Sequence, residues 1–291
     1  MKVLLVGSGA REHIIAEQIA RSAELYAIMD RKNPGIARLA QKFYITDTAN
    51  PEAIGLWAIN EGIDLAFASP DAVLAAGVSD ALEKAGIPTA SPLKAAARIE
   101  WDKSYARTLM KNHNMKGSLE FEIVKTEKEA AKVIKDLNEV AVKPLGLTGG
   151  KGVKVSGDHF KTQKEAVAYC KEVIKKDKSV LIEEKADGEE FSLQVFSDGT
   201  RICAMPPVQD HKRAYDFDRG VNTGGMGSYT SGKLLPFMAQ SDLEQGREIT
   251  QQVVDAMRQD GVSFKGILYT QLMCTADGVK LIEFNARFGD P

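Results

Sequence analysis

Glu283 and Asn285 stand two residues apart in the segment LIEFNARFGDP, residues 281–291. In a strand, alternate side chains share a face. The two would then project together, with Ile282 and Phe284 turned to the core. Paired oxygen donors of this kind suit Mg²⁺, which takes one or two carboxylates and fills its shell with phosphates and water. Gln271, on the preceding strand candidate, offers a third oxygen. Arg287, again on that face, could balance charge on a phosphoryl group in transfer. A lone Glu-x-Asn says little; its weight depends on what else the chain supplies.

Much of the rest is phosphate chemistry. KPLGLTGGKGV, residues 143–153, resembles a P-loop but is not one. Gly146 lies one residue too close to Gly150-Lys151, and Gly152 replaces the hydroxyl residue. Gly146, Gly149, Gly150 and Gly152 instead predict a flap between two strands, able to close over phosphates with backbone N–H groups and Lys151. The bland alternative is a flexible hairpin. Lys143 ends an apolar strand, so its ammonium is expected to face an anion, either phosphate or a structural carboxylate. VLIEEKADGEEFSL, residues 180–193, reads as a charged hairpin, or as a hinge offering backbone to an adenine edge and a glutamate to ribose. QDHKR, residues 209–213, and NTGGMGSY, residues 222–229, are polar loops of the kind that carry function on a rigid scaffold. Asp210, His211, Lys212 and Arg213 offer both charge signs to an amino acid or a phosphate. His211 has no partner at ligand spacing, so zinc is not expected.

VLLVGSGAREH, residues 3–13, opens the chain like a nucleotide-binding α/β unit. Gly7 and Gly9 fit the dinucleotide fingerprint, but Glu12 stands at its third glycine. Asp30 sits where a ribose-binding acid would, which leaves a dehydrogenase open. Helix amides with Arg11 would suit a phosphate or phosphosugar, and the bland alternative is a tight turn with ordinary surface polar residues.

These residues need a scaffold, and its elements are legible. Val3–Val6, Tyr26–Met29 and Ile63–Ala68 read as strands, and Glu12–Ser22, Pro51–Asn60 and Asp71–Ala85 as helices, which predicts a parallel α/β sheet over residues 1–100. The pattern changes near Ser91-Pro92. Asp102–Lys111 reads as a helix, and capping boxes at Thr126/Glu129, Thr162/Glu165 and Ser241/Glu244 announce three more. Strand candidates are Val140–Lys143, Val153–Ser156, Val180–Glu184, Glu190–Phe196, Arg201–Met205, Gly266–Met273 and Val279–Phe284. Asp198-Gly199 and Asp277-Gly278 mark hairpin turns. Residues 101–291 are therefore expected to be α+β with antiparallel sheets, including a mobile subdomain at about 119–187.

Bulk properties exclude several classes. The 291 residues are 44% hydrophobic and 27% charged, with a net charge of −2, which describes a globular core and no nucleic-acid footprint. Cys170, Cys203 and Cys274 are too scattered for a disulfide framework or zinc cluster and fit a reducing cytoplasm. The first residues lack a signal-peptide pattern. No apolar run approaches the roughly 20 residues that cross a bilayer.

Taken together, GSGAREH, GGKG, EEKADGEE, QDHKR, NTGGMG and IEFNARFGDP resemble, in order and over essentially the whole chain, the ATP-grasp superfamily and within it the phosphoribosylamine–glycine ligase family. The resemblance implies a pre-ATP-grasp, Rossmann-like α/β domain followed by an α+β ATP-grasp fold. It implies ATP-dependent joining of glycine to 5-phosphoribosylamine through glycyl phosphate, in purine biosynthesis. By resemblance, Lys103, Lys143 and Lys151, with Gly149, Gly150 and Gly152, hold the ATP phosphates. Glu183, Glu184 and Glu190 read adenine and ribose, and Gln271, Glu283 and Asn285 hold Mg²⁺ or Mn²⁺. Asp210, Lys212 and Arg287 hold glycine and the acyl phosphate; His211 and the loop Asn222, Thr223, Gly224, Gly225, Met226 and Gly227 wrap the reacting centre. Gly9, Arg11 and Glu12 fall on the phosphoribosylamine side, as do Ser69 and Asp71, where the family has Gly-Pro-Glu. The family continues past the Arg-Phe-Gly-Asp-Pro motif with a further domain. Residues 1–291 are therefore expected to bind ATP and metal better than they turn over, with that domain supplied in cis or by a separate chain. The rival readings are another ATP-grasp ligase, an NAD-dependent oxidoreductase and a non-catalytic nucleotide-binding module.

Overall fold

A computed structural model describes residues 1–146, 152–216 and 219–290. The amino-terminal region holds strands β1 (Lys2–Val6), β2 (Glu24–Met29), β3 (Lys42–Ile45) and β4 (Leu65–Ala68) and helices α1 (Ala10–Ala20), α2 (Pro34–Leu39), α3 (Pro51–Glu61), α4 (Asp71–Ala76) and α5 (Val78–Lys84). The strands lie in the order β3-β2-β1-β4, all parallel, as the alternation of apolar runs and helices predicts. Leu4, Leu5 and Val6 are buried on both faces, which is why β1 reads as a continuous apolar run.

Two helices start at Asn-Pro. Asn33 and Asn50 cap α2 and α3 through their side-chain oxygens, and the following proline opens each helix. The single helix expected over Asp71–Ala85 is two. Gly77 adopts φ +89° between α4 and α5, a left-handed conformation that ends the first helix.

Helices α6 (Lys94–Trp101) and α7 (Lys103–Asn112) lead into a small sheet of β5 (Phe121–Val124), β6 (Val140–Lys143), β7 (Lys154–Val155) and β8 (Val180–Glu184). Its order is β5-β8-β6-β7, fully antiparallel, and α8 (Glu127–Leu137) and α9 (Gln163–Asp177) cover one face. The boxes at Thr126/Glu129 and Thr162/Glu165 cap these two helices as expected.

The remaining elements are β9 (Gly188–Asp198), β10 (Ile202–Ala204), β11 (Gln209–Asp210), β12 (Arg213–Tyr215), β13 (Arg219–Asn222), β14 (Ser228–Tyr229), α10 (Gln240–Gln259), β15 (Lys265–Thr275) and β16 (Gly278–Asn285). The larger sheet runs β10-β9-β15-β16, antiparallel, backed by α10. The box expected at Ser241/Glu244 is displaced. The Asp242 carboxylate accepts the Ala239 N–H at 2.8 Å, so the helix begins two residues earlier, and Glu244 pairs with Gln240. One continuous apolar core joins Leu4 and Val6 of β1 to Phe191, Leu268, Leu281 and Phe284 of the larger sheet. The larger sheet, one wall of the cleft, therefore shares its core with the parallel sheet, while the smaller sheet packs a core of its own.

Candidate active site

The cleft begins with a register fault in β16. Gln271 pairs with Glu283 and Leu272 with Leu281, leaving Ile282 as an extra residue. This bulge corrects the simple alternation. Leu281 and Phe284 are buried in the core, whereas Ile282 lines the cleft beside Glu283 and Asn285.

The bulge carbonyls meet two cations. Arg107, on α7, donates to Leu281 O at 3.1 Å and Ile282 O at 2.9 Å. It also forks onto Glu183 of β8, with Nε–Oε1 at 2.6 Å and Nη2–Oε2 at 3.0 Å. Lys143, at the end of β6, lies 2.7 Å from Glu183 Oε2 and donates to Ile282 O at 3.2 Å. Glu183 is 1% exposed, Arg107 3% and Lys143 5%. Burial alone would raise the Glu183 pKa, but Arg107 and Lys143 outweigh it and hold the carboxyl at about 2. The anion expected opposite Lys143 is thus, within the chain, a structural carboxylate. Both Glu183 oxygens are taken, so its assignment to adenine or ribose is not what its surroundings favour.

Glu283 is different. Burial would raise its pKa, yet Lys212, Lys143, Lys103 and Arg287 together hold it below the usual carboxylate range. Among the described residues it has no hydrogen-bond or ion-pair partner. It is an ionised carboxylate facing the cleft with its lone pairs unclaimed. Asn285 Oδ1 accepts from Arg287 Nη2 at 2.8 Å. Gln271 does not reach the cleft. It is fully buried, its Oε1 accepts from Tyr269 OH at 2.8 Å, and its Nε2 donates to Glu190 at 3.1 Å. The donor set therefore fits a divalent cation through Glu283 and Asn285, without Gln271.

Cations ring this carboxylate. Lys212 Nζ lies 3.2 Å from Glu190 and 3.9 Å from Asp210. Burial lowers its pKa, but Glu190, Glu283 and Asp210 raise it further, so it stays charged. Lys103 donates to Gly146 O at 3.1 Å; burial and nearby Lys143 pull its ammonium below the usual range against the attraction of Glu283. Arg287 pairs with Glu100 at 3.1 Å, and Glu100 also accepts the Ala286 N–H at 2.8 Å. Thr223 and Gly224 reach the cleft because their loop folds back on QDHKR. The Thr223 N–H donates to Lys212 O at 2.7 Å, and the Met226 N–H to His211 O at 2.7 Å.

The cleft, about 340 Å³, brings together Arg11, Asp71, Lys103, Lys143, Glu183, Asp210, Lys212, Thr223, Gly224, Glu283, Asn285 and Arg287 of the expected residues. Outside its lining are Gly9, Glu12, Ser69, Gly152, Glu184, Glu190, His211, Gly225, Met226, Gly227 and Gln271. His211 stacks on Tyr229, and Glu184 accepts the Glu120 N–H. Gly149, Gly150, Lys151 and the Asn222 side chain lie outside the described residues. Glu12 caps α1 from within. Its Oε2 accepts the Gly9 N–H at 2.7 Å, and its Oε1 accepts from Ser69 OH at 2.6 Å and Arg11 Nε at 2.8 Å. Asp30 takes the Ser8 hydroxyl.

Glu100, Arg107 and Tyr269 were not among the expected residues. For Arg107 a signal existed: Lys103, Ala106, Arg107 and Met110 form one stripe of α7, a cation on a buried face.

Two antiparallel sheets clasping lysines above an acid and amide pair on the last strand define the class: an ATP-grasp ligase. The model of the phosphoribosylglycinamide synthetase N domain matches residues 1–100, and that of its ATP-grasp (A) domain residues 101–291. The chain belongs to the phosphoribosylglycinamide synthetase family. It is 51% identical over 296 residues to the phosphoribosylamine–glycine ligase of Methanosarcina barkeri, an alignment covering 100% of the chain and 68% of that relative. Among solved structures, the Thermotoga maritima phosphoribosylamine–glycine ligase matches with a TM-score of 0.82 at 26% identity, covering 100% of this chain and 70% of that one. The biotin carboxylase domain of Hydrogenobacter thermophilus 2-oxoglutarate carboxylase, solved with MgADP, shares the fold at 18% identity, with a TM-score of 0.71 and coverage of 99% and 64%.

Proposed function

We propose that this chain joins glycine to 5-phosphoribosylamine at the expense of ATP, forming glycinamide ribonucleotide for purine synthesis. A glycine carboxylate oxygen attacks the γ-phosphorus of ATP, and the bond to the β-phosphate oxygen breaks to release ADP. The phosphoribosylamine nitrogen then attacks the carbonyl carbon of glycyl phosphate. Inorganic phosphate leaves, the nitrogen loses a proton, and the amide remains.

The residues divide the work by charge. Lys103, Lys143 and Lys151 would neutralise the triphosphate, with Gly149, Gly150 and Gly152 offering backbone N–H groups. Glu184 and Glu190 would read the nucleoside. Asp210 would hold the glycine ammonium, and Lys212 and Arg287 would balance charge on the transferring phosphoryl group. Arg11 and Asp71, at the amino-terminal rim, would meet the phosphoribosyl group. Glu283 and Asn285 would hold a divalent cation, Mg²⁺ or Mn²⁺, which when bound supplies charge neutralisation at the phosphates. No helix among the described residues is long and apolar enough to cross a membrane. We place the reaction in the cytoplasm, where its small-molecule substrates are.

The observation that carries this reading is Glu283, an ionised carboxylate ringed by Lys212, Lys143, Lys103 and Arg287 yet bonded to none. The test is ADP release by the purified protein. Release that needs both glycine and phosphoribosylamine supports the assignment. Release with another carboxylate in place of glycine would point to a different ligase of the same class.

A further inference from the structure

Lys143 is expected to serve ATP phosphate, yet in this structure it is spoken for. Its ammonium lies 2.7 Å from Glu183 Oε2 and donates to Ile282 O at 3.2 Å. Moving it toward a phosphate would abandon both partners. A carboxylate left buried without a counter-ion is among the costliest arrangements in a protein interior.

Arg107 already holds the same two partners from the other side. Its fork covers both Glu183 oxygens, at 2.6 and 3.0 Å, and Nη2 also reaches Ile282 O at 2.9 Å. Its remaining nitrogen is fixed on Leu281 O at 3.1 Å. The stem is anchored too, because α7 is capped by Asp102 and buries Leu109 and Met110 in the core. When Lys143 departs, Glu183 keeps its charge balanced and Ile282 O keeps its donor. The planar guanidinium covers both carboxylate oxygens and the carbonyl at once, whereas the Lys143 ammonium reaches one carboxylate oxygen and the carbonyl.

We infer that Arg107 is a positioning residue for nucleotide binding: by holding Glu183 and the Ile282 carbonyl itself, it frees Lys143 to turn toward the phosphates of a nucleoside triphosphate. The inference rests on the reading that a triphosphate enters this cleft. It predicts a trap. Without Arg107, Lys143 is, among the described residues, the one cation left in contact with buried Glu183, and it stays there.

The test is calorimetric titration of the full chain with the β,γ-imido analogue of ATP and Mg²⁺, which needs neither glycine nor phosphoribosylamine. Arg107→Met should weaken binding about tenfold or more, the loss of one charge-assisted contact. Adding Glu183→Gln should restore most of that affinity, since it removes the anion that detains Lys143. A residue that only props up the fold would give the opposite result, with the double variant no better than the single. In a Lys143→Met background, Arg107→Met should have no further effect on affinity. Should Arg107→Met fail to fold by circular dichroism, Arg107→Gln with and without Glu183→Gln makes the same comparison with a polar side chain in the cation's place. Wild-type affinity in Arg107→Met, or no recovery in the double variant, overturns the inference. Failure of the wild-type chain to bind the analogue overturns the functional reading instead.

Discussion

Two glutamates, Glu12 buried at the amino-terminal turn and Glu283 half-buried on the last strand, show how differently one side chain can be used. Glu12 has a protein donor on each oxygen: Gly9 N–H on one, Ser69 OH and Arg11 Nε on the other. The neighbouring glycines follow from it. A Cβ on Gly7 would lie 2.6 Å from Glu12 Cγ, and one on Gly9 would lie 2.6 Å from Glu12 Oε2. Glu283 is kept ionised by surrounding cations but is bonded to none of them among the described residues. An anion with both oxygens engaged by its own chain is architecture. An anion held charged at a distance is prepared for a partner from outside. The opening glycine turn thus has its carboxylate engaged within the chain, and Arg11 is what it extends into the cleft.

Glu183 extends this contrast, and replacing it should have the largest effect. Glu183→Ala leaves Arg107 and Lys143 buried without their anion and should cost about 3–5 kcal/mol of stability, read as a lower urea midpoint. The same pair makes a pH prediction. The Glu183 pKa is about 2 in the folded chain against an ordinary 4.5. Its contribution, on the order of 3 kcal/mol, is complete above pH 4.5 and is lost as pH falls from there toward 2. Glu183→Ala should flatten that acid limb.

Glu283→Ala should do the reverse, lowering turnover about a hundredfold, or roughly 3 kcal/mol, while the urea midpoint stays near that of the parent chain. Equal destabilisation by Glu283→Ala and Glu183→Ala would erase the distinction between them. Gly9→Ala crowds Glu12 and should cost about 1–3 kcal/mol of stability by thermal melting. Ser69→Ala removes one donor from Glu12 and should cost about 1 kcal/mol, the smallest effect of the set.

What could be read from the sequence was local. The boxes at Thr126 and Thr162 and the Asp277-Gly278 hairpin are written within four residues, and the structure has them. Parallel and antiparallel halves were legible because strands alternate with helices in one and follow one another in the other. The failures have local causes too. Asp242 stands closer to the start of α10 than Glu244, and Gly77 interrupts a helix whose apolar period continues across it. The site was harder because its decisive contacts are distant. Arg107 and Glu183 are 76 residues apart, and Glu100 and Ala286 are 186 apart. No spacing rule announces that the Lys143 partner is Glu183, or that Gln271 is occupied by Tyr269 and Glu190.

The extra residue in β16 has a meaning that side chains alone do not disclose. A strand shorter by Ile282 would still set Leu281 opposite Leu272 and Glu283 opposite Gln271, inside and outside unchanged. Successive peptide oxygens of a regular strand, however, point to opposite edges. The insertion is what lets two consecutive oxygens, those of Leu281 and Ile282, look the same way and share one guanidinium. Excising Ile282 would preserve every facing in the sheet and still remove half of that electronegative notch, so the length of this strand is set by its backbone.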